Sequence, residues 1–109
     1  MAYSEALARR IRQQLKRNRN VDEKKMFGGV CQFLNGNICV GVWQDSLVAR
    51  VGPEQFTDAL QQPHVGEFDV TGRPMKGWVL VAPEGIDVDS QLKDWIQRAL
   101  KFVRTLPPK

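Results

Sequence analysis

The sequence predicts an α+β fold in which helices cover one face of an antiparallel sheet. Three observations support this class: helical periodicity near both ends of the chain, a β-hairpin signal in the first half, and short strands separated by turn residues. The predicted order is α-β-β-β-α-β-β-α in two layers. At 109 residues the chain is expected to form a single domain, residues 1–109.

Two of the three helices are predicted from apolar residues that recur every three or four positions. The first begins after Ser4, whose hydroxyl suits an N-cap. The apolar positions are Leu7, Ile11 and Leu15 in the first helix, and Leu92, Trp95, Ile96, Ala99, Leu100 and Val103 in the last. The short middle helix is predicted to start at Pro53, because proline is favoured at the first helical position, and to end near Leu60.

The strongest strand signal is Asn35-Gly36 between two β-rich runs, which predicts a two-residue hairpin turn pairing Leu34 with Asn37. This register places on a predicted core face Phe27, Cys31, Phe33, Ile38, Val40 and Val42. The opposite face then collects Met26, Gly28, Val30, Gln32, Leu34, Cys39, Gly41 and Trp43. That second face is unusually apolar for one exposed to solvent, so the sequence leaves two alternatives: a further helix covers it, or it is an interface.

Three further strands are predicted at residues 47–51, 67–70 and 76–81, each beside a turn or a helix-starting proline. Asp87 to Ser90 are expected to cap the last helix. Since no run approaches the roughly 20 apolar residues of a membrane span, and no apolar run follows Met1, the chain is expected to be cytoplasmic and away from membranes.

Charge is distributed unevenly along the chain, although 16 basic and 12 acidic residues give a net charge of only +4. Residues 1–25 carry eight basic and three acidic side chains, and residues 91–109 carry five and one, whereas residues 40–90 carry three and eight. Basic ends therefore flank an acidic middle. This pattern suits either helices with solvated basic faces or a surface for an acidic partner or polyanion.

The residues that enzymes and metal sites need are sparse. His64 is the only histidine, and Cys31 and Cys39 are not spaced as a C-x-x-C motif. Two cysteines and one histidine do not complete a four-ligand zinc site without a carboxylate, and Asp87 and Asp89 lack the rest of a calcium-binding loop. The sequence therefore predicts no enzyme activity, metal or cofactor. Cys31 is expected in the core and Cys39 as a candidate exposed thiol.

Two motifs resemble one known family, the N-terminal domain of TfoX/Sxy proteins. They are Lys25-Met-Phe-Gly-Gly-Val30, followed by the Asn35-Gly36 hairpin, and Gly72-Arg-Pro-Met-Lys-Gly-Trp-Val79, and the resemblance covers about residues 5–103. It implies a two-layer α+β domain similar to the type III secretion chaperone fold. It also implies a link to bacterial regulators of natural competence, which act with the cyclic-AMP receptor protein to turn on DNA-uptake genes.

In those regulators a helical C-terminal domain follows the N-terminal domain. Because this sequence ends at Lys109, it is expected to be a stand-alone N-terminal domain. The resemblance implies no catalytic residues. The functional hypothesis is a regulatory or adaptor domain that binds a protein partner, either transcription machinery or a second copy. The alternative is direct nucleic-acid binding through the first helix. The candidate interface residues are Met26, Gly28, Gly29, Trp43 and Met75, and the candidate basic surface is Arg9, Arg12, Lys16, Arg17, Arg19, Arg73 and Lys76.

Overall fold

The computed structural model describes residues 3–26, 28–69, 72 and 75–109. Over these residues the α-helices are α1 (Glu5–Leu15), α2 (Pro53–Leu60) and α3 (Asp89–Val103). The strands are β1 (Val21–Met26), β2 (Gly29–Leu34), β3 (Asn37–Trp43), β4 (Ser46–Arg50), β5 (Val65–Glu67) and β6 (Trp78–Val81). A 3-10 turn at Pro83–Gly85 precedes α3. The predicted α+β class is confirmed.

The strands form one antiparallel sheet in the order β1-β2-β3-β4-β6-β5. It holds one strand more than predicted, because the segment expected to open a single long strand at Lys25 is divided. Gly28, with a φ of +80°, lies between β1 and β2, and Met26 pairs with Gly29. The sequence does not predict β1 because Val21–Met26 is mostly charged. Five of its six residues are exposed, and such charged side chains are typical of an edge strand that avoids pairing with other chains.

The predicted helix start and hairpin turn are confirmed in atomic detail. The Leu7 amide donates to the Ser4 hydroxyl at 3.1 Å, so Ser4 caps α1 as expected. Asn35 and Gly36 both have positive φ, as the predicted two-residue turn requires. The start of α3 differs, since its N-cap is Val88 and no aspartate side chain caps it.

The hydrophobic core lies between the three helices and one face of the sheet. Its fully buried side chains include Ile11, Leu47, Leu92, Ile96, Leu100, Val30, Val40 and Val42. Each contributes about 1.5–3 kcal/mol of burial free energy relative to exposure. This face therefore supplies most of the stability of the fold.

A β-bulge in the hairpin makes the predicted core face wrong along β2. Phe33 pairs with Ile38 as expected, but Gln32 then pairs with Val40, which leaves Cys39 as an extra residue on β3. Because side chains alternate along a strand, that one-residue shift reverses which side of β2 meets the helices. The reversal brings Val30, Leu34 and Cys39 into the core and places Phe33, Ile38 and Cys31 on the other face. Phe27, also predicted on the core face, lies outside the described residues.

Candidate functional site

The sheet face that points away from the helices, termed the outer face, carries large apolar side chains. It is identified by register: Val30, Val42 and Leu47 are paired core residues, so the residues that alternate with them project to the opposite side. The large side chains on the outer face are Met26, Phe33, Ile38, Trp43, Trp78 and Leu80. Met26 is 37% exposed and the other five are half-buried.

Small residues fill the middle of the outer face. Cys31 and Val48 have no accessible surface, and Gly41 lies between them on β3. A Cβ atom at Gly41 would lie only 2.9 Å from the Cys31 sulfur, so the thiol fills the space of the missing side chain. The strand pairing places Met26 and Trp43 on one side of this middle and Phe33, Ile38 and Trp78 on the other. The apolar surface consequently runs from β1 across to β6.

Two cations lie against aromatic rings of the outer face. The Lys24 ammonium is 5.3 Å from the centroid of the Phe33 ring, and the Arg50 guanidinium carbon is 5.2 Å from that of Trp78. Such contacts contribute about 0.5–1 kcal/mol at exposed sites. The outer face is therefore an apolar surface with cationic margins.

Four of the five predicted interface residues gather at one end of the sheet. Met26 and Gly29 are partners, Gly28 lies beside them, and a Cβ atom at Gly29 would lie 3.5 Å from the Trp43 Cα. That added Cβ would overlap the carbonyl oxygen of Val42, so Gly29 serves the close approach of β3 within the fold.

Met75 lies on the β6 side of the sheet, apart from the other predicted interface residues. Its amide donates to the Phe68 carbonyl at 3.2 Å, and the Phe68 ring stacks on Trp78 with centroids 5.9 Å apart. The structure therefore spreads the predicted interface residues across both ends of the sheet instead of joining them in one cluster.

Four outer-face residues are absent from the predicted interface. The sequence predicts Phe33 and Ile38 on the core face, and it does not predict Trp78 or Leu80 as interface residues. A signal for the last two exists in the sequence, because Trp78–Val81 is apolar at every position and so fills both faces of its strand. No comparable signal reveals the bulge that turns Phe33 and Ile38 outward.

The α1 cations, which are the basic residues of α1 together with Lys16, Arg17 and Arg19 just beyond its end, divide into paired and unpaired groups. Arg12 donates to both carboxylate oxygens of Glu23 at 2.7 and 3.1 Å, and Arg10 donates to Asp89 at 3.0 Å and to the Ile86 carbonyl at 2.7 Å. Arg9, Lys16, Arg17 and Arg19 are exposed, and none forms an ion pair with another described residue. Lys76 is also exposed, while Arg73 lies outside the described residues. The unpaired group is what remains available for an external anion.

Glu23 connects α1 to the sheet. Hydrogen bonds from Arg12 lower the pKa of the Glu23 carboxyl, burial opposes this shift, and a bond from the Gln32 amide at 2.6 Å lowers it further. Gln32 is itself buried, so the carboxylate also satisfies an interior polar group. Arg12 is thus better described as a structural residue than as part of a binding surface.

Glu23→Gln is expected to lower the free energy of unfolding at pH 7 by about 0.5 kcal/mol, because both ion-pair partners are more than a third exposed. A lowered carboxyl pKa in the folded state stabilises the fold above the ordinary value of 4.5. That contribution is lost as the pH falls through the folded pKa. Urea unfolding of both proteins should therefore show a difference at pH 7 that shrinks as the pH is lowered below 4.5. A difference that does not change with pH would contradict this role.

Both cysteine thiols are buried, on opposite sides of the sheet. Burial raises the pKa of Cys31 and of Cys39 to about 12, so neither is a thiolate near neutral pH. The predicted placement on opposite faces is confirmed, but the expectation of an exposed Cys39 is wrong. The extra residue in β3 turns the Cys39 side chain into the core, where it belongs to the same buried cluster as Leu34 and Val40.

Metal ligands do not cluster in the part of the chain that the structure describes. There, no three or more His, Cys, Asp and Glu side chains come together in a way that would hold a metal ion. His64 lies on an exposed loop with a φ of 66°. Among the described helices none has the length and apolar character needed to cross a membrane.

Comparison with known proteins identifies one family. The model of the TfoX N-terminal domain matches residues 13–103, which is most of the chain. No curated protein matches, and no solved structure matches. The expected similarity to the type III secretion chaperone fold therefore stays a prediction.

Proposed function

The chain belongs to the TfoX N-terminal domain family, and from this premise we propose that it is a non-enzymatic regulatory domain that acts through protein–protein contacts. Its partner is transcription machinery that activates DNA-uptake genes, or a second copy of the chain. The domain carries no chemistry of its own in this proposal. It works by presenting a surface.

The observation that carries the proposal is the composition of the outer face. Five half-buried large apolar side chains and the exposed Met26 share one sheet face, opposite the helices that cover the core. Contiguous apolar surface of this kind marks interaction sites on soluble domains. Trp43 is the anchor we assign to it, because a tryptophan that keeps part of its surface exposed gains large burial on binding.

The unpaired cations of α1 support the same function by steering. Arg9, Lys16 and Arg17 are exposed and carry no ion pair with a described residue, so their field attracts an acidic partner and raises its association rate. Arg12, part of the basic surface expected from the sequence, is excluded from this role by its bond to Glu23.

A reporter of DNA-uptake gene expression tests the proposal in the bacterium that makes the protein. Trp43→Ser and Ile38→Asn each remove apolar surface from the outer face while leaving the core untouched. Both are expected to reduce reporter output by about tenfold or more, the effect of losing a contact of about 1.4 kcal/mol. Protein abundance and melting temperature serve as controls, together with Lys93→Ala on the exposed side of α3. Full output from both outer-face variants would contradict the proposal.

Direct nucleic-acid binding through α1 is the second candidate, favoured by the same unpaired cations. Fluorescence anisotropy with duplex DNA at several salt concentrations tests it on a triple Arg9/Lys16/Arg17→Ala variant. If each side chain neutralises one phosphate, the log–log salt slope of the variant should be flatter by about 2.7. A slope that is unchanged in the variant would exclude α1 as the nucleic-acid site.

A further inference from the structure

Arg50 is a half-buried cation with no carboxylate to neutralise it. Among the described residues no Asp or Glu lies within ion-pair distance of its guanidinium. Burial lowers the pKa of this guanidinium. An arginine nevertheless stays protonated in proteins, so the fold holds an uncompensated positive charge at the end of β4.

Two aromatic rings hold the Arg50 guanidinium in place. Its central carbon lies 5.2 Å from the Trp78 ring centroid and 5.7 Å from that of Phe102 on α3. Its one hydrogen bond to another described residue is a long one, 3.5 Å to the Ile38 carbonyl. A guanidinium has five N–H donors, so the rings fix its orientation while most of its donors stay available.

Arg50 lines a small cavity of about 100 Å³ at the junction of β4, β6, α2 and α3. Lys76 lines the same cavity and adds a second cation. Gly52 and Gly77 also line the cavity, and both have positive φ. The Val51 and Gly52 amides both donate to the Gly77 carbonyl, at 2.9 and 3.0 Å. The cavity is therefore rigid as well as cationic, which reduces the entropy lost when a ligand binds.

A second, larger groove of about 520 Å³ shares Pro53 and Phe102 with this cavity. Its volume falls in the range of small-molecule sites. The groove brings Lys101 and Arg98 to the same region, against one carboxylate, Glu54. Arg98 is paired with Asp94 and Asp58. Around the two spaces, the cations that form no ion pair with a described residue are Arg50, Lys76 and Lys101.

A purely structural role for Arg50 explains only part of this geometry. Stacking between Trp78 and Phe102 joins the sheet to α3, and an apolar side chain would do the same without the cost of burying an unpaired charge. The joint presence of Lys76 at the same cavity, and of Lys101 at the adjoining groove, is not needed for packing. Three uncompensated cations around two adjoining spaces instead match a ligand that carries more than one negative charge.

We propose that this site binds a small organic phosphate. Its phosphate lies in the small cavity between Arg50 and Lys76, and its planar or apolar body lies in the larger groove against Phe102. A phosphate is favoured over a single carboxylate because two cations face the cavity and because guanidinium pairs with phosphate in a two-bond fork. The site shares Arg50 and Trp78 with one margin of the outer face. It includes neither Trp43 nor the unpaired cations of α1, so Trp43→Ser tests the proposed function without altering this site.

The test is a titration of the ¹⁵N-labelled full chain followed by NMR, with AMP as the phosphate ester. The amides of Gly52 and Gly77 and the indole N–H of Trp78 should shift and saturate, with adenosine, which lacks phosphate, and acetate binding at least about tenfold more weakly. Inorganic phosphate should shift the same amides without filling the groove. A short oligothymidylate is the second phosphate source. Shifts at these residues from the oligonucleotide but not from AMP would overturn the small-molecule proposal in favour of a nucleic-acid strand.

Two variants and one matched control complete the test. Arg50→Gln is expected to weaken AMP binding by about tenfold or more, and Lys76→Gln, which changes an exposed side chain and keeps the fold, by about fivefold. Lys93→Gln removes an equal charge from the far part of α3 and should leave affinity within about twofold. No saturable shift from AMP up to about 10 mM, or equal affinity for AMP and adenosine, would overturn the proposal. Unchanged AMP binding in both variants would overturn it as well.

Discussion

Leu34→Ala is expected to lower the free energy of unfolding by about 3 kcal/mol, and Phe33→Ala by about 1 kcal/mol. The two residues are neighbours on β2, and the bulge at Cys39 decides which of them faces the helices. Leu34 is 5% exposed in the core, so its truncation leaves a cavity. Phe33 is half-buried on the outer face, where its removal costs surface contacts and the Lys24 ammonium contact.

Urea unfolding monitored by tryptophan fluorescence measures both changes on the same scale. The comparison is internally controlled, because the residues share a strand and its pairing. If Phe33→Ala is the more destabilising substitution, the unbulged register is correct and the outer face described above does not exist.

Gly29→Ala is expected to cost about 3 kcal/mol, the upper range for overpacking. The added methyl group would overlap the Val42 carbonyl oxygen, which is backbone and does not rotate away, so β2 and β3 must separate locally. The residue lies in the motif that carries the family resemblance. Strand packing within the domain explains why position 29 is a glycine, without the approach of a partner's backbone.

Gly66→Ala is the matched control for this substitution. Gly66 is also a strand glycine, but no atom lies within 4 Å of an added Cβ and its φ is not in the left-handed region. Its substitution should change stability by no more than about 0.5 kcal/mol. Thermal unfolding of both variants checks the pair. A Gly29→Ala protein as stable as Gly66→Ala would show that β2 and β3 are not in this close contact.

The parts of the fold that the sequence predicts correctly are those set by local chemistry. The Ser4 cap, the Pro53 helix start and the Asn35-Gly36 turn each depend on a few adjacent residues, and each lies where expected. The apolar residues of α1 and α3 likewise face the core because the helical period is fixed by backbone geometry.

The sequence-based predictions are wrong where a nonlocal contact determines the local structure. The bulge at Cys39 leaves no mark in the local sequence, because Ile38, Cys39 and Val40 are all apolar and any one of them can face the core. Pairing with β2 and the Arg12–Glu23 ion pair stabilise the β1 strand. Because these contacts are nonlocal, its charged sequence alone does not predict a strand.

The sequence predicts the kind of candidate site, an apolar sheet face, but only some of its residues. An apolar second sheet face follows from the excess of hydrophobic residues in the hairpin, and Trp43 and Met26 lie on it. Phe33 and Ile38 required knowledge of the bulge. The Arg50 site required the packing of α3 against the sheet, since Phe102 is far from Arg50 in sequence.

Site-specific photo-crosslinking in the organism that makes the protein tests the central claim, that the outer face is the interaction surface. A photoreactive phenylalanine analogue would replace Ile38 or Trp43 on the outer face, and Gln97 on the exposed side of α3 as the control. We expect adducts from positions 38 and 43 that contain a component of the transcription machinery or a second copy of the chain, with position 97 giving neither. Adducts of equal yield from position 97, or none from the outer face, would contradict the claim.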